Sequence, residues 1–262
     1  MSDELSLMVS ALKAAGRAVL SGTGSVHDKD TVVGVHDVVS DADVCAERII
    51  IDAIRNSFPD DNIMSEEINP ESLMEGRTWI VDPIDGTMNY TRGIPLYGIQ
   101  AVFTVDGVPS ASAIYFPAQD EMFTALPEGA FLNGECIRTA DYTRLDKCIL
   151  SLGDFSRKSE TFREAQGRIL CDCRDQVARF KVLGAACMDF AYLASGRTDL
   201  HIRFTNKPWD FLPGMYLAEM AGAVYDEDLY RDHSILIMCS CKEVLDEALE
   251  GLVPKFICSF HR

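Results

Sequence analysis

The feature that most constrains this chain is the stretch 79–87, in which a short apolar run ends in two aspartates. Residues 79–81 predict a short buried strand that is bounded by turn residues. Asp82 and Asp85 follow three positions apart, and Pro83 restricts the backbone between them. The sequence therefore predicts two carboxylates at the end of a buried strand.

Gly86 and Thr87 predict the start of a helix directly after these carboxylates. Backbone N–H groups at a helix start can bind an anion, but carboxylates beside them repel a phosphate unless hard cations lie between. Mg²⁺ suits this combination because it prefers oxygen ligands and commonly bridges to substrate phosphate. The local residues leave one alternative open, an acidic strand-to-helix turn in which Asp85 caps the helix.

Length and composition limit the class of protein. The chain has 262 residues, enough for one large domain or two closely packed halves. Hydrophobic residues make up 47% and charged residues 25%, as in soluble globular proteins, and no apolar run approaches a membrane span. Residues 1–4 lack the basic start and apolar core of a secretory signal. We therefore expect a cytoplasmic protein.

The net charge of −17 argues against a long nucleic acid as partner, because binding one requires clustered Lys and Arg. A small phosphate ester is still compatible if metal ions invert the local field. The nine cysteines and five histidines show no spacing typical of a zinc site. We expect reduced, mostly buried thiols, including the two C-x-C pairs Cys171/Cys173 and Cys239/Cys241.

Hydrophobic periodicity predicts an α+β first half. Helices are predicted at 3–20 and from Ser40 to before Pro59, where Ser40 and Asp43 resemble a capping box. An Asp106-Gly107 turn predicts one hairpin. Strands are predicted at 31–39, 62–65, 97–105, 108–116, 121–125 and 129–138.

Past about residue 140 the predicted elements alternate between strand and helix. The strands are 147–152, 177–182 and 198–204, and the helices are 157–170, 184–195, 213–221 and 242–252. No repeat or flexible linker separates the two halves. We therefore expect a single domain, 1–262, with halves of about 1–140 and 141–262.

Acidic residues at two other predicted element ends extend the candidate site. Glu66 and Glu67 follow the strand at 62–65, although such a pair alone is typical of a solvated loop. Asp210, in a Trp-Asp pair, precedes the helix at 213–221 and is explained equally well as its N-cap.

These motifs together resemble a known family. The string Asp-Pro-Ile-Asp-Gly-Thr at 82–87, continued by Tyr90 and Arg92, resembles the first signature of the inositol monophosphatase family of metal-dependent phosphatases. Residues 209–214 are similar to its second signature. The resemblance implies a layered αβαβα sandwich of the sugar-phosphatase type, with an antiparallel sheet first and alternating α/β elements second. It also implies lithium sensitivity and a homodimer.

The resemblance further implies two or three Mg²⁺ ions per site. The activating ion would be held by Glu66, Asp82 and the backbone carbonyl of Ile84. A second ion would be held by Asp82, Asp85 and Asp210, and a third, loosely held, by Glu66 and water.

The remaining implied roles concern water and substrate. Asp43 would accept a hydrogen bond from Thr87, whose hydroxyl orients or deprotonates the attacking water, so that both act with Glu66 in catalysis. The amides of Gly86 and Thr87 would bind the phosphate. Further implied substrate contacts are Asp85, Ala186, Arg203 and Asp210.

Three features distinguish this chain within the family, two of them departures from its usual pattern. Arg203 stands where inositol-specific members have a glutamate that contacts the inositol hydroxyls, and an arginine there favours a second anionic group. It is similar to the arginine of archaeal members that hydrolyse both inositol phosphate and fructose 1,6-bisphosphate; a surface arginine is the open alternative. Met220 replaces a usual glutamate, and residues 88–90 resemble the inositol phosphatase branch.

The sequence thus predicts a Mg²⁺-dependent phosphomonoesterase that acts on inositol 1-phosphate or a related small sugar phosphate. A fructose-1,6-bisphosphatase or dual-activity enzyme is the nearest alternative, and a 3′-phosphoadenosine nucleotide phosphatase is less favoured. A catalytically silent, metal-binding regulator is disfavoured because the full set of implied ligands is present.

Overall fold

The computed structural model describes residues 2–22, 26–28, 38–156, 159–204 and 207–257. Two helices and a short two-stranded ribbon are its first elements. The helices are α1 (Asp3–Leu20) and α2 (Asp41–Ser57), and the antiparallel ribbon is β1 (Val26–Asp28) with β2 (Val38–Ser40). Both helices agree with the sequence prediction. The predicted strand at 31–39 lies mostly outside the described residues.

Seven strands form the first sheet, in the same order as in the chain. They are β3 (Asn62–Ser65), β4 (Arg77–Asp85), β5 (Gly98–Val105), β6 (Val108–Phe116), β7 (Glu121–Leu126), β8 (Gly129–Leu132) and β9 (Glu135–Ile137). β3 runs parallel to β4, and the other neighbours are antiparallel. A short helix, α3 (Thr87–Thr91), follows β4.

Two details of this sheet differ from the prediction. The pairing of β4 with β5 continues past residue 81 and shifts register between Asp82 and Asp85, a region that contains Pro83, which has no N–H to donate. The single strand predicted at 129–138 is wrong. Asn133 and Gly134 have φ values of 51° and 86° and make a tight hairpin turn between β8 and β9.

The second half of the chain forms a mixed five-stranded sheet in the order β11-β10-β12-β14-β13. These strands are β10 (Ile149–Leu152), β11 (Arg179–Lys181), β12 (Leu200–Phe204), β13 (Val224–Tyr225) and β14 (Ile235–Cys239). The helices are α4 (Glu160–Asp172), α5 (Ala186–Ala194), α6 (Pro208–Met220), α7 (Glu227–His233), α8 (Lys242–Gly251) and α9 (Val253–Phe256).

Helix α6 begins five residues earlier than the sequence indicates, and Asp210 therefore lies inside its first turn and is not its N-cap. Pro213 was expected near the helix start but lies within the helix. A proline cannot donate to the carbonyl four residues before it. That carbonyl, of Trp209, instead accepts a hydrogen bond of 2.9 Å from the side chain of Gln100 on β5. The helix thus continues through its proline with the freed acceptor satisfied.

Buried apolar side chains fill three successive layers between the elements. Leu12 of α1 and Ile50 of α2 pack with Trp79 against the first sheet. Phe190 of α5 and Leu217 of α6 pack between the two sheets. A third group covers the outer face of the second sheet with α4, α8 and α9. The expected α+β fold, layered as an αβαβα sandwich, is confirmed.

In the described ranges, no helix combines the length and the apolar character that crossing a bilayer requires. The eight cysteines within these ranges are free thiols, and only four of them are buried, whereas we expected most to be; Cys136 and Cys171 are exposed.

Candidate active site

The carboxylates expected to hold metal ions lie at one end of the first sheet. Asp82 and Asp85 are on the last residues of β4, and Glu66 directly follows β3. Because these two strands are parallel neighbours, their carboxyl ends meet, and the Glu66 N–H donates to the Val81 carbonyl at 3.3 Å. Asp210 lies in the first turn of α6, and the Gln100 side chain on β5 donates a hydrogen bond to the carbonyl of Trp209 in the same turn.

The carboxylates lie close enough together to raise the pKa of Asp82 and Asp85. Burial raises the pKa of Asp82 well above its ordinary value, and the charges of Glu66, Asp85, Asp210 and Asp43 raise that pKa further. The pKa of Asp85 is raised to about 6, first by burial and then by Asp210. A site with this much negative charge favours cations.

Three of the carboxylates also contact a hydrogen-bond donor of the protein, which is a backbone N–H for two of them and an arginine for the third. Asp82 accepts a hydrogen bond from the Ile84 N–H at 3.1 Å, and Asp85 accepts a short one from the Cys187 N–H. Asp210 forms an ion pair of 2.9 Å with Arg203. With these side-chain directions, no three His, Cys, Asp or Glu residues among those described form a ready-made ion-binding cluster.

The residues nevertheless fit Mg²⁺ in donor type and charge. Mg²⁺ takes oxygen ligands, usually one or two carboxylates with water and phosphate oxygens. Each of these carboxylates has two oxygens of the type that Mg²⁺ prefers, and a bound cation would relieve the repulsion that, after burial, raises the pKa of Asp82. The residues that would hold it are Glu66, Asp82, Asp85 and Asp210, with the carbonyl of Ile84.

The predicted hydrogen bond between Thr87 and Asp43 is present. The Thr87 hydroxyl lies 3.1 Å from Asp43 Oδ1 and 2.9 Å from the carbonyl oxygen of Ile84. Asp43 is fully buried, and its Oδ2 accepts from the N–H of Ser40 at 2.8 Å and from the Ser40 hydroxyl at 2.5 Å. The expected capping box is therefore formed, and Asp43 is fixed on both sides.

Gly86 lies where the start of helix α3 meets the start of helix α5. Its φ of 90° is in the left-handed region, and an added Cβ would lie 2.9 Å from both the Ala185 Cβ and the Leu96 carbonyl oxygen. Gly86 caps α3, and Ala186 is the first residue of α5. The sequence-predicted Gly86, which precedes Thr87, thus lies against Ala185, the residue before the sequence-predicted Ala186, because Gly86 has no side chain.

Arg203 is not a surface residue, and that alternative is wrong. Its side chain is only 16% exposed, and one guanidinium nitrogen pairs with Asp210. Its Nε is buried and has no hydrogen-bond partner in the described residues. Arg203 therefore lies beside Asp210, one of the carboxylates of the site.

The sequence prediction did not include a buried polar group behind Arg203. Ser151 Oγ lies 2.9 Å from His201 Nδ1, which is 4.0 Å from Asp189 Oδ2. Burial lowers the pKa of His201 to about 3, so its ring is neutral and the 4.0 Å contact is not an ion pair. Burial also raises the pKa of Asp189 well above its ordinary value. A single aspartate in the apolar, small-residue helix at 184–195 was the available signal.

Comparison with known proteins extends these observations. Residues 2–235 match the model of the inositol monophosphatase family. The "Fructose-1,6-bisphosphatase/inositol-1-monophosphatase" of Thermotoga maritima is 31% identical over 225 residues, which cover 85% of this chain and 84% of the relative. "Nus factor SuhB" of Escherichia coli is 32% identical over 236 residues, covering 87% and 86%.

A solved inositol monophosphatase structure from Thermotoga maritima superimposes with a TM-score of 0.84 at 28% identity and covers 99% of both chains. The two signatures, the layered fold and the near-complete coverage agree with one another. The chain belongs to the inositol monophosphatase family.

Proposed function

We propose that this chain is a Mg²⁺-dependent phosphomonoesterase that hydrolyses inositol 1-phosphate or a related small sugar phosphate. The observation that carries the proposal is the convergence of five carboxylates beside two helix starts. They are Asp43, Glu66, Asp82, Asp85 and Asp210. Such a site repels phosphate by itself and binds it when cations are present.

In this proposal the metal ions occupy the carboxylate end of the first sheet. Glu66, Asp82 and the Ile84 carbonyl would hold one ion, Asp82, Asp85 and Asp210 would hold a second, and a third would bind loosely near Glu66. When bound, the ions supply positive charge and lower the pKa of a water molecule. Phosphoryl transfer needs mainly positioning and charge neutralisation, so no histidine or cysteine nucleophile is required.

The protein's own groups position water and phosphate. Thr87 donates to the buried Asp43, and this carboxylate is in turn held by Ser40. We propose that the Thr87 hydroxyl and Asp43 orient the attacking water and accept its proton. The N–H groups of Gly86 and Thr87, at the start of α3, bind the phosphate oxygens, and Ala186 lines the opposite side at the start of α5.

A second activity, hydrolysis of fructose 1,6-bisphosphate, is favoured by one specific observation. Arg203 is mostly buried, pairs with Asp210 and has an unsatisfied Nε donor. A planar guanidinium beside a proposed metal ligand suits a second anionic group of the substrate. A Thermotoga maritima relative is named for both activities. A 3′-phosphoadenosine nucleotide is a less favoured substrate because residues 88–90 are of the inositol phosphatase type.

A catalytically silent, metal-binding regulator is the alternative outside enzymes. Relatives in Escherichia coli and Salmonella typhimurium are named "Nus factor SuhB". The complete set of carboxylates, together with the Thr87 to Asp43 hydrogen bond, favours an enzyme here. We further propose a single domain over 1–262, a cytoplasmic location, a homodimer and inhibition by Li⁺.

The experiment that tests the proposal is release of inorganic phosphate with and without Mg²⁺. The panel contains inositol 1-phosphate, fructose 1,6-bisphosphate, a 3′-phosphoadenosine nucleotide and glycerol 2-phosphate. We expect Mg²⁺-dependent release from at least one of the first two. No Mg²⁺-dependent release from any substrate would favour the silent regulator.

A further inference from the structure

Glu47 is a buried carboxylate that the proposed mechanism does not use. It lies on α2, one helical turn after Asp43, and its exposed fraction is 0%. Charged side chains are almost never fully buried unless they have partners. The contacts of Glu47 therefore need an explanation.

Both hydrogen bonds recorded for Glu47 come from the loop after β3. Its Oε1 accepts from the N–H of Glu67 at 3.1 Å and from the N–H of Ile68 at 3.1 Å. The preceding residue, Glu66, is a proposed metal ligand, and its own N–H donates to the Val81 carbonyl at 3.3 Å. Glu66 is thus fixed to β4 on one side, and the residues that follow it are fixed to α2 on the other.

The two carboxylates of α2 relate the helix to both parts of the site. Asp43 contacts Thr87 at the start of α3, and Glu47 contacts the loop that carries Glu66. One rigid helix therefore sets the distance between the proposed water-orienting pair and a proposed metal ligand. Groups that orient metal ligands from outside the coordination sphere commonly change metal affinity 10- to 100-fold when they are removed.

We infer that Glu47 is a positioning residue, whose Oε1 holds the backbone of Glu67 and Ile68 so that the Glu66 carboxylate is aligned for Mg²⁺. The inference rests on the proposed function, because Glu66 must hold an ion for its alignment to matter. The role depends on an acceptor oxygen at a fixed distance from α2 and not on the charge of Glu47. Its Oε2, which is buried without a hydrogen-bond partner in the described residues, is not needed for it.

Three substitutions separate this role from a general contribution to stability. Glu47→Gln keeps one acceptor oxygen at the same length and removes the charge. Glu47→Asp keeps the charge but withdraws the oxygen by one methylene, and Glu47→Ala removes the acceptor. Ile54→Val is the matched control, because Ile54 is a buried residue of the same helix that belongs to the apolar core.

The primary measurement is Mg²⁺ binding to each full-length protein by titration calorimetry, without substrate. We expect Glu47→Ala and Glu47→Asp to weaken Mg²⁺ binding about 10- to 100-fold, and Glu47→Gln and Ile54→Val to stay within about threefold of the natural chain. Amide hydrogen exchange at Glu67 and Ile68 should accelerate in the Ala and Asp variants only. If the Ala variant does not fold, the comparison of Asp with Gln carries the test.

The outcomes distinguish this inference from the proposed function. Normal Mg²⁺ affinity in Glu47→Asp, with the natural chain binding Mg²⁺, overturns the positioning role and leaves the proposed phosphatase intact. An equal loss in Glu47→Gln also overturns it, because the charge would then be what matters. Absence of Mg²⁺ binding by the natural chain overturns both.

Discussion

The Thr87 hydroxyl donates to Asp43 Oδ1 at 3.1 Å and so joins the first residue of α3 to the first turn of α2. The other oxygen of Asp43 accepts from Ser40 and completes the capping box of α2. One buried carboxylate thereby contacts two elements through different oxygens, and in the proposed function it both caps α2 and orients the attacking water. These functions can be separated by substitution.

Ser40→Ala should lower stability but not activity. Removing the N-cap hydroxyl costs about 1 kcal/mol of unfolding free energy, while Oδ1 of Asp43 still accepts from Thr87. Asp43→Asn should instead lower kcat by about 10²- to 10⁴-fold, the usual contribution of a proton-accepting group. Denaturant unfolding and steady-state kinetics on both variants check this. Equal kinetic losses in the two variants would contradict the separation.

Asp85→Asn should remove nearly all activity from a normally folded protein. The asparagine oxygen can still accept from the Cys187 N–H, but the charge that would hold a metal ion is lost. We expect kcat to fall more than about 100-fold, which corresponds to about 2.7 kcal/mol. Circular dichroism should be unchanged, and Asp226→Asn, at a helix cap on α7, serves as the control. Natural turnover in Asp85→Asn would show that the metal assignment is wrong.

Arg203→Glu should shift substrate preference. Arg203→Glu breaks the ion pair with Asp210 and should slow both reactions. If Arg203 contacts a second anionic group, kcat/KM for fructose 1,6-bisphosphate falls at least about tenfold more than kcat/KM for inositol 1-phosphate, a difference of about 1.4 kcal/mol. Arg179→Glu is the control, since Arg179 is an exposed arginine on the edge strand of the same sheet. Unchanged relative rates on the two substrates would make Arg203 a bystander in specificity.

Gly214→Ala should destabilise the fold, although alanine is the better helix former. Gly214 lies in α6 against α5, and an added Cβ would be 2.6 Å from the Phe190 Cβ. Phe190 is fully buried between the sheets and cannot move freely. We expect a loss of about 1–3 kcal/mol in unfolding free energy, typical of overpacking. A variant as stable as the natural chain in denaturant titration would show that the two helices can separate at no cost.

His201 should make the protein less stable as the pH falls. The folded pKa is about 3 because of burial, whereas the ordinary value is 6.5. The stabilisation is therefore complete above pH 6.5 and is lost progressively toward pH 3, because only the unfolded chain takes up the proton. The groups facing the ring are Ser151, Asp189, Phe190 and Arg203.

The measurement is the difference in unfolding free energy between the natural chain and His201→Asn. This difference should shrink by up to about 1.4 kcal/mol per pH unit below pH 6.5. A variant that differs from the natural chain by the same amount at pH 7 and pH 5 would contradict a neutral, buried His201.

Much of the fold follows from local patterns, and its exceptions have physical reasons. The apolar stripe of α1 and the Asp106-Gly107 turn are local, and both agree with the structure. The start of α6 was placed too late because a proline inside a helix usually marks its beginning. Gln100, more than a hundred residues earlier, donates to the carbonyl that Pro213 leaves free, and no local pattern indicates such a contact.

The candidate site also contains residues that the sequence indicates and contacts that it does not. Asp82, Asp85 and Asp210 lie in two contiguous motifs, which made them recognisable. Glu47 and Cys187 act through contacts that join residues 20 and 102 positions apart. The i, i+4 spacing of Asp43 and Glu47 on α2 was the one visible signal for Glu47. Every residue except proline has a backbone N–H, so the sequence does not indicate that the N–H of Cys187 donates to Asp85.

The central claim is that these carboxylates hold the metal ions of a phosphatase, and anomalous diffraction from crystals grown with Mn²⁺ in place of Mg²⁺ tests it most directly. We predict two anomalous peaks about 2.0–2.2 Å from carboxylate oxygens, one shared by Glu66 and Asp82 and one by Asp82, Asp85 and Asp210. Mn²⁺-dependent phosphate release from crystals that show no peak at these residues would contradict the claim.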